Sequence, residues 1–277
     1  MLDRTIIDDI ITRALREDMP MGDITTDSTV PPSETCRANL IAKEDGVIAG
    51  LEVFERTFML LDPNMQIERF VEDGDFVAKG TRIMFLSGNA RAMLKAERTA
   101  LNLLQRMSGI ASLTRRFAEK LKGTDSKIVD TRKTAPGLRY LDKYAVRAGG
   151  GTNHRFCLSD GVLIKDNHIK AAGGIIPAVK RARASIPHTI RIEVETESLE
   201  QVKEALEAGA DIIMLDNMTP DLMTEAVRFI NKRALTEASG NITVDTVETI
   251  ARTGVDLISS GSLTHSVKAM DISLRFE

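Results

Sequence analysis

The chain has 277 residues, of which 43% are hydrophobic and 28% are charged, a composition typical of globular proteins. Its net charge of −3, its two Tyr and its lack of Trp argue against nucleic acid as a partner, because nucleic acid requires a broad basic surface with stacking aromatics. No uncharged apolar run approaches the roughly 20 residues that a membrane span requires. The length suits a barrel with an accessory domain.

The first residues and the cysteines favour a cytoplasmic location. Asp3, Arg4 and Asp8 stand where a secretory signal peptide would have its apolar core. The two cysteines, Cys36 and Cys157, are too few for a disulfide framework or a zinc-ligand set. We therefore expect a cytoplasmic protein with no membrane partner.

The N-terminal third predicts an α+β domain. Residues 3–18 have apolar side chains at one-turn spacing and predict an amphipathic helix, and residues 22–27 have the composition of a turn. One helix at 51–60 lies among short β-type runs, at 37–42, 46–49, 66–70 and 82–87. Asp73-Gly74 and Lys79-Gly80 predict turns between strands. Residues 270–277 alternate weakly and are predicted to return to this domain as a strand.

Residues 90–121 predict one long helix, or two abutting helices, with a break near Ser108-Gly109. Arg98, Asn102 and Gln105 share one polar face of this segment. The opposite face is predicted to be buried, with Leu101, Leu104 and Met107. The spacing leaves open whether the polar face is solvated or meets a ligand or a neighbouring subunit.

The segment 72–83 is similar to the hairpin of biotinyl and lipoyl carrier domains, which present an acceptor lysine at an exposed turn. The lysine that follows this hairpin, Lys95, lies instead in a predicted helix. We therefore interpret the hairpin as structural.

After Gly123 the chain repeats on a larger scale. Short apolar runs begin near Ile128, Val162, Ile190, Ile212, Leu235 and Leu257. The gaps between the later runs hold helical patterns at 175–185, 198–208, 219–233 and 244–253. Strand–helix units at this spacing build a parallel sheet with right-handed crossovers. A run of at least six without a reversal favours an α/β barrel over an open doubly wound sheet.

Active sites of such barrels lie at the carboxyl ends of the strands. The strands end, in chain order, with 131–133, Lys165, Glu195, Asp216, 239–241 and 261–262. Cations thus follow the first two strands, carboxylates the next two, and Gly/Ser loops the last two. The loops predict a phosphate cradle, and two carboxylates beside a phosphate imply a bridging Mg²⁺.

A concentration of positive charge supports an anionic ligand. Residues 130–170 contain eight Lys or Arg and four Asp, although the whole chain is negative. Such a concentration suits a small, multiply anionic molecule that exchanges its water for fixed donors. On the third barrel strand, Arg191 and Glu193 alternate with apolar residues and need partners if they face the interior.

Several motifs narrow the interpretation further. They are ED at 17–18, GDITT at 22–26, ERTALN at 97–102, TRKT at 131–134, PGLR at 136–139, GTNHR at 151–155, LIKDNH at 163–168, EVE at 193–195, MLDN at 214–217, SG at 239–240 and LTHS at 263–266. With these motifs in this order, the chain resembles the quinolinate phosphoribosyltransferase family from end to end. The resemblance implies an α/β fold: an open-faced α+β sandwich domain at 1–108 with 270–277, and an incomplete parallel α/β barrel at 109–269.

The resemblance also implies an activity. Members transfer phosphoribose from phosphoribosyl pyrophosphate to quinolinate with decarboxylation, which gives nicotinate mononucleotide, pyrophosphate and CO₂ for NAD biosynthesis. It implies Mg²⁺ with the donor and no organic cofactor, in agreement with the lack of a cofactor motif. It further implies a homodimer with a shared active site, or a hexamer of such dimers.

Roles for individual residues follow from the resemblance alone. The pocket for the pyridine dicarboxylate would be lined by Arg132, His154, Arg155 and, from the partner subunit, Arg98. Glu195 and Asp216 would contact the metal-bound diphosphate and the ribose, directly or through water. The remaining substrate-binding residues would be Thr131, Lys133, Lys165, Ser239, Gly240, Asn241, Ser260, Gly261 and Ser262. Lys133, Glu195 and Asp216 are the implied catalytic residues.

Three alternatives stay open at this point. A nicotinate phosphoribosyltransferase would not decarboxylate, although the number of cations favours a diacid. A class I aldolase would use Lys165 as a Schiff-base lysine at a strand end. A non-enzymatic carrier or anion-binding module would use the 72–83 hairpin.

Overall fold

The computed structural model describes residues 2–277. The helices are α1 (Arg4–Asp18), α2 (Ile24–Thr29), α3 (Leu51–Met59), α4 (Ala90–Lys120), α5 (Arg139–Ala148), α6 (Asp166–Ala172), α7 (Ile175–Ser185), α8 (Leu199–Glu207), α9 (Pro220–Ile230), α10 (Val247–Ala251) and α11 (Ser262–His265). The strands are β1 (Thr35–Ala42), β2 (Gly46–Val47), β3 (Gln66–Arg69), β4 (Phe76–Val77), β5 (Arg82–Asn89), β6 (Lys127–Val129), β7 (Val162–Ile164), β8 (Ile192–Thr196), β9 (Ile212–Asp216), β10 (Leu235–Ser239), β11 (Leu257–Ser259) and β12 (Ile272–Phe276). Within this range, no helix has the length and apolarity needed to cross a membrane.

The chain packs into two compact units. The first contains the residues up to Arg115 together with Ala135–Gly150 and Ser266–Glu277, and the second contains Arg116–Thr134 and Gly151–His265. This division differs from the boundary expected after residue 108. One reason is that α5 packs within the first unit, where Asp142 is fully buried and accepts hydrogen bonds from both Nε and Nη2 of Arg106, at 2.9 and 2.8 Å.

The first unit is built on an antiparallel sheet with the strand order β12-β1-β5-β3. In it, β12 pairs with β1, with Leu274 opposite Leu40, which confirms that the last residues return to this domain as a strand. Buried side chains of the sheet, α3 and α4 form one apolar core, in which Phe54 and Phe58 are among the largest. Burial of this face is the main term that stabilises the unit.

Helix α4 is continuous, so the predicted break near Ser108-Gly109 is wrong. Both residues are small because other backbone approaches them, not because the helix ends there. Ser108 Oγ accepts a hydrogen bond from the Ala49 N–H at 3.1 Å, and a Cβ atom at Gly109 would overlap with the Lys268 carbonyl oxygen. The buried face is confirmed by Leu101, and Arg98 and Asn102 of the polar face are exposed. Gln105 of the same face is half-buried and donates a hydrogen bond to the Ile272 carbonyl at 2.7 Å.

The structure also differs from the prediction at residues 22–27. This segment begins the helix α2 instead of forming only a turn. Asp23 stands at the N-cap, and its Oδ1 accepts a hydrogen bond from the Thr26 N–H at 3.0 Å. A capping carboxylate satisfies a donor that the first turn of a helix leaves unpaired. The carrier-type hairpin is also structural, since Lys95 lies in α4 and binds Asp27 at 2.7 Å.

The second unit is a parallel barrel that is open at one seam. Its strand order is β6-β11-β10-β9-β8-β7, so chain neighbours pair from β7 to β11 and the first strand, β6, pairs with the last. No ladder joins β6 to β7 among the described residues. At this seam Thr152 forms an isolated bridge with Val129. This arrangement confirms the incomplete barrel and brings six strand ends to one rim.

Candidate active site

A cavity of about 640 Å³ lies at the carboxyl ends of the barrel strands. All predicted substrate-binding residues of the second unit line it: Thr131, Arg132, Lys133, His154, Arg155, Lys165, Glu195, Asp216, Ser239, Gly240, Asn241, Ser260, Gly261 and Ser262. Arg98 belongs to the first unit, on α4, and its contribution to a partner's site stays a prediction. The predicted cations, carboxylates and Gly/Ser loops of the second unit therefore line one cavity.

His154 and Arg155 stand on a loop at one side of the cavity, and Asp130 holds this loop in place. This carboxylate is fully buried at the end of β6. Its Oδ1 accepts a hydrogen bond from the His154 N–H at 2.9 Å, and its Oδ2 accepts one from Asn153 Nδ2 at 2.6 Å. The Thr152 N–H donates to the Ile128 carbonyl at 2.9 Å. The loop is thus fixed without being a strand.

Two guanidinium groups lie close together in this part of the cavity. Burial, followed by the charge of Arg132, lowers the pKa of Arg155. Arg155 Nη1 donates a hydrogen bond to the Gly161 carbonyl at 2.8 Å, which orients the side chain. Paired guanidinium groups in a partly dry site favour a ligand with carboxylates, because each can donate two parallel hydrogen bonds.

The two rim acids, Glu195 and Asp216, are each held by a neighbouring side chain. Glu195 Oε2 lies 2.7 Å from Lys165 Nζ, and Asp216 Oδ2 accepts a hydrogen bond from Asn217 Nδ2 at 2.7 Å. Asn217 itself has a left-handed backbone, with φ of 52°, and its N–H donates to the Ser239 carbonyl at 3.0 Å. Asn is among the few side chains that adopt this conformation readily.

The contact with Glu195 disfavours the aldolase alternative. A Schiff-base lysine has to act as a neutral amine, usually in an apolar pocket or beside another cation. Lys165 has instead a carboxylate partner at 2.7 Å, and about half of its side chain is exposed. The environment therefore suits an ammonium group that binds anions.

The Gly/Ser loops approach other site residues closely. Gly240 has a φ of 107°, and a Cβ atom there would overlap with Asn217 Oδ1. A Cβ atom at Gly261 would lie 2.9 Å from Lys133 Cδ and 2.8 Å from His265 Cδ2. Thr264 Oγ1 donates a hydrogen bond to the Lys133 carbonyl at 2.8 Å, which ties that backbone to the same loop.

We expect Gly261→Ala to lower kcat/KM by at least about tenfold, because the methyl group displaces the Lys133 and His265 side chains that line the cavity. The melting temperature should change little, since both side chains are long enough to yield. Steady-state kinetics and thermal unfolding of the same preparation measure the two effects. Unchanged kinetics would show that Lys133 does not need its present position.

The floor of the cavity contains a cluster that sequence reasoning found only in part. His154 Nε2 lies 3.1 Å from Glu193 Oε2 and 3.5 Å from Glu237 Oε2. The expected interior partner of Glu193 is therefore His154, whereas Arg191 is exposed and does not face the interior. Burial, followed by the charge of Glu193, raises the pKa of Glu237 to about 7. Glu237 was missed because it is one acid within a short strand and belongs to no motif.

Comparisons with known proteins identify the family. The C-terminal domain model of quinolinate phosphoribosyl transferase matches residues 110–275, and the N-terminal domain model matches residues 23–108. The chain is 49% identical, over 93% of its own length and 89% of the relative's, to the probable nicotinate-nucleotide pyrophosphorylase [carboxylating] of Bacillus subtilis. It is 46% identical, over 97% of its length and 82% of the relative's, to the mitochondrial quinolinate phosphoribosyltransferase [decarboxylating] 2 of Nicotiana glauca.

A crystal structure agrees with these relatives. The NadC protein of Streptococcus pyogenes superposes with a TM-score of 0.96 at 44% identity, over 100% of this chain and 99% of that one. The domain models together cover nearly the whole chain, and its fold is that of the solved structure. The chain therefore belongs to the quinolinate phosphoribosyltransferase family.

Proposed function

We propose that the protein transfers phosphoribose from phosphoribosyl pyrophosphate to quinolinate and releases CO₂, which gives nicotinate mononucleotide and pyrophosphate for NAD biosynthesis. The observation that carries this proposal is the single cavity in which two arginines, two lysines, two carboxylates and two Gly/Ser loops converge. Such a cavity can hold a dicarboxylate and a phosphorylated sugar side by side. The family relatives named above supply the reaction type.

One assay tests the proposal. Quinolinate labelled in its 2-carboxyl group should release labelled CO₂ only when both phosphoribosyl pyrophosphate and Mg²⁺ are present. Nicotinate in place of quinolinate should give little product, because it lacks the second carboxylate that the arginines would hold. Efficient turnover of nicotinate without CO₂ release would support the non-decarboxylating alternative instead.

Positioning of the base is the first task of the site. The ring nitrogen of quinolinate attacks the anomeric carbon of the donor, so the two atoms must be aligned. Arg132 and Arg155 would grip the carboxylates and fix the ring relative to the sugar. Holding two reactants in this way lowers the activation free energy, because their translational and rotational freedom is already lost on binding.

Charge stabilisation is the second task. As pyrophosphate leaves, the ribosyl centre becomes oxocarbenium-like, and Glu195 and Asp216 would stabilise this positive charge more in the transition state than in the ground state. Lys133 and Lys165 would neutralise the leaving group. The contact of Lys165 with Glu195 at 2.7 Å keeps the cation at the rim until the donor arrives.

Decarboxylation needs no organic cofactor in this proposal. Once the ring nitrogen carries the ribosyl group, the pyridinium ring accepts the electron pair that CO₂ leaves at the adjacent carbon. A proton then replaces the carboxyl group. The protein has to hold the ring and exclude side reactions, and it does not have to supply an electron sink.

The rim carboxylates fit a Mg²⁺ ion that arrives with the donor. The hydrogen bonds described above use Oε2 of Glu195 and Oδ2 of Asp216, so each carboxylate keeps its second oxygen for a metal or its water. An all-oxygen donor set of this kind is what Mg²⁺ prefers. When bound, the ion would neutralise part of the charge of the diphosphate.

We also propose that the enzyme is a homodimer with a shared active site, or a hexamer of such dimers. The support is Arg98, an exposed cation at the polar face of α4, which the family resemblance assigns to the partner's pyridine pocket. Arg98→Ala should raise the KM for quinolinate at least about tenfold, because one charge-assisted contact is lost.

Mixing two impaired variants tests the shared site. Arg98→Ala and Lys133→Ala preparations, unfolded together and refolded, should regain part of the activity, since mixed dimers contain one site with both native residues. Each variant refolded alone is the control. If the mixture is no more active than its components, the site is formed by one subunit.

The cytoplasm is the proposed location. Both cysteines, Cys36 and Cys157, are free thiols, as is usual in a reducing compartment. Fractionation of the source cells, with activity as the readout, would test this.

A further inference from the structure

The cavity floor contains a carboxylate that the proposed reaction does not use. Glu237 lies on β10, is fully buried, and neither of its oxygens has a hydrogen-bond partner among the described residues. The nearest imidazole nitrogen, His154 Nε2, is closer to Glu193, at 3.1 Å, than to Glu237, at 3.5 Å. An ionised carboxylate without donors is costly to bury, so the geometry alone favours a bound proton.

A metal ion is the rival explanation for this cluster. The ligand atoms of His154, Glu193 and Glu237 lie within 4.8 Å of one another. However, the Arg155 N–H donates a hydrogen bond to His154 Nδ1 at 2.7 Å, so Nδ1 carries no proton. The neutral ring then has its proton on Nε2, which faces the carboxylates and has no lone pair for a metal. The cluster is therefore better suited to hold protons than to bind a metal ion.

The charged neighbours of Glu237 come from several elements. Glu193 of β8 disfavours its ionisation, whereas His154 of the loop before β7 and Lys165 at the end of β7 favour it. The adjacent strands contribute no charge beside it, since β9 places Met214 opposite and β11 brings Ser259, whose Oγ donates to the Ala238 carbonyl at 3.4 Å. Burial and Glu193 outweigh the favourable contributions of His154, Ser259 and Lys165.

We propose that Glu237 holds a proton when quinolinate binds and thereby sets the charge of the pyridine pocket. The inference rests on the proposed function, because it names quinolinate as the dianion concerned. Four cations line the cavity, Arg132, Lys133, Arg155 and Lys165, together with the rim carboxylates Glu195 and Asp216. With Glu237 protonated, four cations of the lining face two carboxylates, and loss of its proton adds a third negative charge and so reduces the excess of positive charge. Glu237 is a positioning residue in this account, since its oxygens are buried and act through the field of the floor.

Proton uptake on binding is the direct consequence. A dianion above Glu237 makes the neutral carboxyl more favourable, so binding near pH 7.5 should draw a fraction of a proton from solution into each site. Calorimetric titration of the parent protein with quinolinate, in two buffers of different ionisation enthalpy, measures this number. Glu237→Gln cannot take up a proton, and its uptake should be smaller by that fraction. Equal uptake by parent and variant would overturn the proposal.

The kinetic consequence is a pH-dependent KM. With a pKa of about 7 for Glu237, the KM of the parent for quinolinate should rise roughly tenfold from pH 6 to pH 8, as the protonated fraction falls. In Glu237→Gln this ratio should fall towards one. Glu225→Gln, an exposed site on α9, removes the same charge elsewhere and should keep the parent's ratio. A parent ratio that Glu237→Gln does not change would overturn the proposal.

Stability gives a readout that does not need activity. A buried acid whose pKa is raised on folding stabilises the protein fully below its unfolded value of 4.5, and this contribution is lost as the pH rises to about 7. The melting temperature of the parent should therefore fall by several degrees relative to Glu237→Gln between pH 5 and pH 8. A constant difference would overturn the proposal.

Two further outcomes keep the test decisive. If Glu237→Gln does not fold, Glu237→Met offers an uncharged side chain of similar length for the same comparisons. Zinc bound by the parent and not by the variant would overturn the proposal in favour of a metal site. Failure of CO₂ release from quinolinate would contradict the proposed function itself, whereas normal release with no Glu237-dependent pH effect would contradict only this inference.

Discussion

Replacing Glu195 or Asp216 by Ala is expected to lower kcat by about a thousandfold, which corresponds to about 4 kcal/mol of transition-state stabilisation. Both carboxylates line the cavity at the ends of neighbouring strands, β8 and β9, and in the proposed mechanism both would meet the positive charge that develops on the ribosyl centre. The KM for quinolinate should stay within about threefold of the parent value, since the proposal assigns binding of the base to the arginines.

A conservative variant separates charge from shape. Glu195→Gln keeps the size of the side chain and should lose nearly as much kcat as Glu195→Ala, because the charge is the active property. Glu197→Ala, at an exposed position two residues further along, is the matched control and should behave like the parent. Steady-state kinetics with each substrate varied in turn would check this, and an intact kcat would remove these acids from the mechanism.

Replacing Arg132 or Arg155 by Met is expected to have the opposite kinetic signature. The KM for quinolinate should rise by about a hundredfold, or about 2.7 kcal/mol, since a charge-assisted contact with a carboxylate is lost in a partly dry site. Met keeps most of the length of the side chain, so the cavity should not collapse. The KM for phosphoribosyl pyrophosphate should change much less.

Arg155→Lys refines this prediction. It retains the charge but loses the planar fork, so its KM should lie between those of the parent and Arg155→Met. Arg228→Met, at an exposed position on α9, controls for the loss of one positive charge. Should Arg155→Met bind quinolinate as tightly as the parent, the dicarboxylate lies elsewhere in the cavity.

The sequence allowed the barrel and most of its rim to be predicted, because both depend on local patterns. Apolar runs at regular spacing give parallel strands, and the polar residue that ends each run necessarily lies at the same rim. This pattern alone predicts Lys165, Glu195 and Asp216 as rim residues, without the family resemblance. The resemblance then added residues that stand on loops, such as His154 and Arg155.

Other features depend on contacts between distant residues and could not be predicted. The floor carboxylate Glu237 shows its chemistry only through its closeness to Glu193 and His154, which come from different elements. Asn217 contacts Asp216 from a left-handed backbone conformation, which the identity of a single residue does not predict. Likewise, Gly109 suggests a helix break until the Lys268 backbone is seen against it.

The open seam between β6 and β7 leaves part of the proposed pyridine pocket outside the strand ladders. The groups that would hold sugar and phosphate stand on laddered strand ends, where a backbone shift would disturb neighbouring strands. Of the residues that would contact the ring, His154 and Arg155 stand on the tethered loop after Thr152, whereas Arg132 follows the laddered strand β6. Substitutions in this loop could therefore change which aromatic acid the protein binds, while the residues for ribosyl transfer stay unchanged.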